Sequence, residues 1–326
     1  MFRVSVLLGM FLQSLCSLAL ADLSYAPEEA LIEEVVVTGV RPGPPLWKVK
    51  HKDHVMWVFG TVTPIPKRME WDSAAVEYII SQAQSYLAPP QIYASVTNPF
   101  KAIGLLRRYT KAKKLTNKQS LDQVLSFELN AEFERLRAEY APRNSSIRKL
   151  RPSFAAEKLM QEATDAVGLE DDAERIERKL AKLVKRHDVP VTESVIEAPA
   201  VDFLAVVEGL LLKTEIHCLA ATLQSIEKDL NAAARRANAW ANGSAVALRA
   251  LDYPDVEGSC TQVIFERPEA AELQGEVEDL WLENAEKALR NNAHTFADLP
   301  MRDIVHPDGL LARLQARGYQ VTTPVN

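Results

Sequence analysis

The stretch Leu46-Trp47-Lys48-Val49, followed by His54-Val55-Met56-Trp57-Val58-Phe59-Gly60-Thr61-Val62-Thr63, decides the fold class. Trp47 and Val49 alternate with lysines, the period-two pattern of a strand with one buried face. His51-Lys52-Asp53 is a polar turn. Val55 to Val62 is then a nearly continuous apolar run, which suits a central strand covered on both faces. Residues 46–63 are therefore expected to form a β-hairpin, ended by Pro64 and Pro66. Asp72 or Ser73 can cap a following helix whose Val76, Ile79 and Ile80 face the core. Ser85 to Ala88 reads as a third short strand, ended by Pro89-Pro90.

The other end of the chain returns to the same mixed pattern. Thr295 to Leu299 reads as a strand, and Asp308 starts a helix carrying Leu310, Leu311 and Leu314. Gly318 closes that helix, and Tyr319-Gln320-Val321 reads as a last strand. The middle, about 98–290, is helical in pattern. Ile176, Leu180, Leu183 and Val184 form one helix stripe, with Glu170, Asp171 and Asp172 at its start and Lys185 and Arg186 at its end. Phe203, Leu204, Val207, Leu210, Leu211 and Leu219 make an apolar segment interrupted by Lys213 and Glu215, a buried helix rather than a membrane span. Ala239-Trp240-Ala241-Asn242-Gly243 ends another helix with a glycine stop. The expected fold is α/β (α+β): a small mixed β-sheet from the N- and C-terminal segments with a large helical middle region, one domain over 46–326.

The bulk properties agree with a helix-rich globular chain. Hydrophobic residues make up 47% and glycines number only 12, few for a turn-rich all-β fold. Arg3, the apolar run Val4 to Leu12, and Ala19-Leu20-Ala21 before Asp22 read as a cleaved secretory signal over 1–21. The run is too short and too interrupted by Gln13, Ser14 and Ser17 for a membrane span. Its removal takes away one base and no acid, so the formal charge moves from −6 to −7. An acidic average argues against nucleic-acid partners and against general attraction to anionic lipid. Residues 22–45 read as a leader and linker, with a short edge strand at Glu33–Gly39 and a stiff stop at Arg41-Pro42-Gly43-Pro44-Pro45.

Cys218 and Cys260 are the cysteines left after cleavage, and in an oxidising compartment two cysteines are expected to bond. Chain entropy assigns that closure roughly 4 kcal/mol. No internal repeat, P-loop, dinucleotide fingerprint or Gly-x-Ser-x-Gly elbow is present in the sequence.

The two end blocks, Leu46 to Pro66 and Thr295 to Tyr319 with Pro307-Asp308-Gly309-Leu310-Leu311, together resemble the TraB/GumN family, relatives of the Tiki membrane metalloproteases. The resemblance runs from about 43 to 324 and implies a secreted or periplasmic metallopeptidase-like scaffold. In members with the full motif set, the first strand block ends Gly-Thr-x-His, a glutamate closes the third strand, and Gly-x-x-His precedes the Gly-Leu-Leu helix. Two imidazoles and a carboxylate at strand ends are what a catalytic divalent metal needs.

This chain departs at each of those positions. Gly60 and Thr61 are kept, but Thr63 stands for the first histidine. Pro300-Met301-Arg302-Asp303 puts Asp303 in place of the second, and the third-strand glutamate falls at Pro89. Arg290 is the nearest counterpart of the family's basic residue. A rebuilt site for Mn, Co or Zn would have to draw on Asp303, His306 and a hairpin histidine such as His54. Otherwise no cofactor is expected. The sequence thus points to an exported, catalytically degenerate binding protein for a peptide, an envelope protein or a glycan. A metal-dependent hydrolase with a relocated site and a structural envelope factor are the two alternatives.

Overall fold

The computed structural model describes residues 43–96, 98–170, 173–251, 260 and 267–324. The expected signal, the strand at Glu33–Gly39, and Asp171 and Asp172 lie outside the described residues. The hairpin forms as read: Leu46–His51 (β1) pairs antiparallel with His54–Thr61 (β2) in the register Trp47↔Val58 and His51↔His54. The two-residue turn places Lys52 in the left-handed region at φ 53°. Six further strands follow: Ile65–Pro66 (β3), Ser85–Ser95 (β4), Leu169–Glu170 (β5), Val191–Pro199 (β6), His294–Pro300 (β7) and Gln320–Thr322 (β8).

Six strands form one sheet in the order β6-β4-β7-β2-β1-β8, and β3 pairs with β5 apart from it. β2, β7, β4 and β6 run parallel, whereas β1 is antiparallel to both β2 and β8. The late strand β7 therefore sits at the centre, between β2 and β4. That placement explains the two apolar end blocks: an interior strand is buried on both faces, and Thr295 to Leu299 are all buried.

Eleven α-helices are described: Ala74–Gln82 (α1), Pro99–Ala112 (α2), Phe127–Tyr140 (α3), Pro152–Ala166 (α4), Ala173–Arg186 (α5), Ala200–Glu208 (α6), Leu212–Ala241 (α7), Ala245–Ala250 (α8), Pro268–Asn291 (α9), Met301–Val305 (α10) and Leu310–Ala316 (α11). Asp72 rather than Ser73 supplies the side-chain cap of α1, accepting from the Ala74 N–H at 2.9 Å. Val76 and Ile80 are buried and Ile79 half-buried. The stripe Ile176, Leu180, Leu183 and Val184 on α5 is buried in the sheet core. Gly243, at φ 73°, follows α7 as its stop, and Gly318, at φ 93°, follows α11.

Four expectations are corrected. The third strand does not stop at Pro89-Pro90; β4 continues to Ser95. Its ladder to β7 ends at Leu87, and its ladder to β6 shifts register between Leu87 and Pro90. The prolines thus fall at an irregularity, where a missing N–H interrupts little. The middle 98–290 is not wholly helical, because β6 crosses it and pairs along β4. Glu170 is not at a helix start but in β5. The apolar segment 203–219 is two helices, α6 and α7, separated at Gly209 to Leu211.

Two apolar cores result. One spans the sheet and is built on Met56, Val58, Phe59, Phe296, Leu299, Trp240 and Trp281. The other lies within the helical region, where Phe133, Leu136 and Ile147 meet Leu159 of α4 and Leu219, Leu223 and Ile226 of α7. α7 is 30 residues long, about 45 Å at the helical rise. Its first half lies in the helical core and its end, with Ala237 and Trp240, in the sheet core. The Cys218–Cys260 disulfide is formed at the start of α7. Nearby, the Arg151 guanidinium donates to Glu215 Oε2 at 2.9 Å and to the carbonyls of Ala112, Val207 and Leu210. It ties the ends of α2 and α6 to the start of α7.

Candidate functional site

In a parallel array, side chains from distant segments meet where the strands end at their carboxyl side. Gly60 pairs with Leu299 and Thr61 with Pro300, so both motif blocks end at one rim of the sheet. Pro89 lies in β4, two residues beyond the pairing of Leu87 with Ala297. Asp303 lies on α10, three residues past the end of β7. The topology therefore brings the three segments on which the sequence reading placed the motif positions to the same end of the sheet.

What fills that end is apolar. Met301 and Ile304, buried side chains of α10, lie over the Cα of Gly60, so that a methyl group there would overlap Met301 Cε and stand 3.1 Å from Ile304 Cδ1. The Gly60 carbonyl accepts from the indole N–H of Trp240 at 2.6 Å. Phe59, Trp71 and Trp240 stack beside it with centroids 5.5–5.8 Å apart. Thr61 Oγ1 donates to the Leu299 carbonyl at 3.3 Å. Thr63 is exposed, and its bond to Pro64 is cis.

The remaining motif carboxylate turns elsewhere. Asp303 is half-buried, with Arg302 Nε 3.7 Å from its Oδ1. Burial holds its carboxyl above the usual range, and the charges acting on it are Arg302, Glu278 of α9 and His306. None of these belongs to β2 or β4. His306 is exposed, and its Nδ1 accepts from the Asp308 N–H at 3.1 Å. His54 begins β2 and bonds the Leu289 carbonyl through Nδ1 at 2.8 Å. Since β2 runs from His54 to Thr61, His54 is about 23 Å from the rim at ~3.3 Å per residue. Arg290, at the end of α9, is at that far end too and pairs with Glu286 at 3.4 Å. Asp303, His306 and His54 therefore do not meet. Among the described residues, no group of three or more His, Cys, Asp or Glu side chains is arranged to hold a metal ion. The donor set at the rim does not fit the metal that the motif would hold.

A polar pair that the sequence reading left without a role lies one step inside the rim. Asp298 shares a face with its register partner Phe59. Its Oδ1 accepts from the Tyr86 hydroxyl at 2.6 Å, and its buried Oδ2 finds no hydrogen-bond partner among the described residues. Burial pushes the Asp298 carboxyl up to about 7 against the lowering effect of Tyr86. Burial and the adjacent carboxylate push the Tyr86 phenol up as well. An acid inside an apolar strand was the available signal for this pair.

Tyr86 also lines a groove of about 590 Å³ between α5 and the β4–β6 side of the sheet. Val184, Val189, Val191 and Val195 give the groove apolar walls, and Gln91, Lys185 and Glu193 add polar groups. Among the described residues β6 is the last strand on this side, and one of its edges has no sheet partner there. Pro89, where the sequence reading put the counterpart of the third-strand glutamate, lines the same groove.

The TraB/PrgY/gumN family model matches residues 45–323, and the chain belongs to that family. No curated protein and no solved structure matches it.

Proposed function

We propose that this TraB/PrgY/gumN member is a non-catalytic binding protein that works outside the cytoplasm and takes an extended peptide segment along β6. The observation that carries the reading is the occupation of the motif rim by Met301, Ile304 and Trp240. A metallohydrolase needs an open coordination position and a water there. Here the nearest carbonyl is committed to an indole, and the space over Gly60 is filled by thioether and aliphatic carbon. Binding remains available to the scaffold. An edge strand beside a valine-walled groove offers backbone pairing to an extended chain and pockets for alternate side chains. The cleavable signal pattern and the Cys218–Cys260 bridge support export to an oxidising compartment.

Selection from a displayed library of extended peptides tests this reading. Selected peptides should bind the protein without being cleaved, and Val195→Arg, which projects charge into the groove, should abolish binding. Peptide turnover dependent on added metal, or binding indifferent to Val195→Arg, would overturn it.

A further inference from the structure

We propose that α2 is a docking surface for an anionic phospholipid bilayer. No residue of α2 lines the β6 groove, and the inference does not rest on the function proposed above.

α2 is a 14-residue helix that begins with the Asn98 side chain accepting from the Phe100 N–H at 2.9 Å. None of Phe100 to Ala112 is buried. Phe100, Ile103 and Leu106 are 85%, 57% and 64% exposed. Residues three apart step about 60° around a helix, so these three cover roughly 120° of one face. Its inner side rests on α6, where Arg108 pairs with Glu208 at 2.7 Å. The helix thus holds to the body by one side and presents an apolar stripe to solvent on another.

Charge selects the occupant. The chain as a whole carries −6, yet residues 99–114 contain Lys101, Arg107, Arg108, Lys111, Lys113 and Lys114 and no acid. Among the described residues, Arg108 alone of these six has an acidic partner. A stripe of large apolar side chains bordered by long cations matches the boundary between headgroups and acyl chains. There the apolar groups insert and the cations reach the phosphates. A protein partner fits less well, since lysine is depleted from protein interfaces and four of the six cations are lysines. The acidic average of the chain keeps the rest of the surface off the bilayer, so docking would be oriented by this one helix.

Sedimentation of the full chain with vesicles tests the proposal. Vesicles of phosphatidylglycerol mixed with phosphatidylcholine should bind it at least about tenfold more tightly than phosphatidylcholine alone, and added salt should weaken the binding. Replacing Phe100, Ile103 and Leu106 together by serine should lower binding by at least about tenfold at unchanged thermal stability, because none of the three is buried. Lys101→Glu with Lys111→Glu should lower it similarly. Equal binding to both vesicle types, or serine variants that bind as the parent does, would overturn the proposal. Capture by polyglutamate that persists in the serine variant, without preference for the anionic vesicles, would overturn it in favour of an acidic protein partner.

Discussion

The Tyr86 hydroxyl donates to Asp298 Oδ1 at 2.6 Å, joining β4 to β7 at a point where Asp298 is 1% exposed. The pair makes the stability of the sheet depend on pH. Burial holds the folded carboxyl up at about 7, well above its ordinary value of 3.8. Between those two values the unfolded chain has lost a proton that the folded chain still holds. Stability contributed by this group is therefore full at low pH and falls as pH rises through the window. At ~1.4 kcal/mol per pH unit, the loss between pH 5 and 7 is on the order of 3 kcal/mol. Urea titrations at pH 5 and pH 8 should show this fall in the parent and a much smaller one in Asp298→Asn. Tyr86→Phe removes the bond that lowers the carboxyl and should extend the falling limb to higher pH without moving its start. Parallel pH profiles for parent and Asp298→Asn would refute the assignment.

The contact of Met301 and Ile304 with Gly60 makes a second prediction. Gly60→Ala inserts a methyl group into filled space and should cost about 1–3 kcal/mol. Met301→Ala removes the clashing atoms, so in the Gly60→Ala background it should cost less than it does in the parent. A double-mutant cycle by chemical denaturation reads this coupling directly. Strict additivity would mean that α10 does not press on the end of β2.

Much of this frame was legible in the sequence because interior strands and glycine stops leave strong local marks. Val55 to Val62 and Thr295 to Leu299 are mostly apolar; the structure makes them sheet neighbours and buries most of them, all of Thr295 to Leu299 included. β6 was missed because Val191-Thr192-Glu193-Ser194-Val195-Ile196-Glu197 belongs to an edge strand, half wet and half buried, with no continuous apolar run. The extension of β4 was missed because two prolines usually end a strand, and only its neighbours reveal that they fall at a register shift. At the candidate site, the sequence marked Thr63, Pro89 and Asp303 as departures from the motif. It could not show that Met301 and Trp240 fill the space, since both are set by packing between segments far apart in the chain.

Arg151 and Glu215 give a third prediction. Glu215 is fully buried, held by Arg151 Nε at 2.9 Å and by the Ser153 hydroxyl at 2.5 Å. Arg151→Ala leaves that carboxylate buried with its cation removed, and also frees three carbonyls. It should cost roughly 3–5 kcal/mol. Replacing both partners together, Arg151→Met with Glu215→Leu, should cost less than Arg151→Ala alone, because no uncompensated charge remains inside. Thermal unfolding of the three proteins compares them, and a loss below about 1 kcal/mol for Arg151→Ala would place this hub outside the folding core.

The last prediction concerns metal. Calorimetric titration with Mn²⁺, Co²⁺ or Zn²⁺ should give no stoichiometric high-affinity binding near neutral pH. Tight sites for these ions combine three or more oxygen or nitrogen donors at about 2.0–2.3 Å with partners that orient them. The motif end of the sheet offers the exposed hydroxyl of Thr63, in the bend after β2, and Asp303 on α10. Asp303 carries two handicaps as a ligand. Burial favours its protonated form, and Arg302 stands 3.7 Å away as a competing cation. His306 Nδ1 is engaged by the Asp308 N–H, and His54 lies at the far end of β2. Asp303→Ala and His306→Ala should therefore leave any weak metal heat unchanged. Tight one-to-one binding that disappears in either variant would sink the non-catalytic reading and move attention to a site assembled around α10.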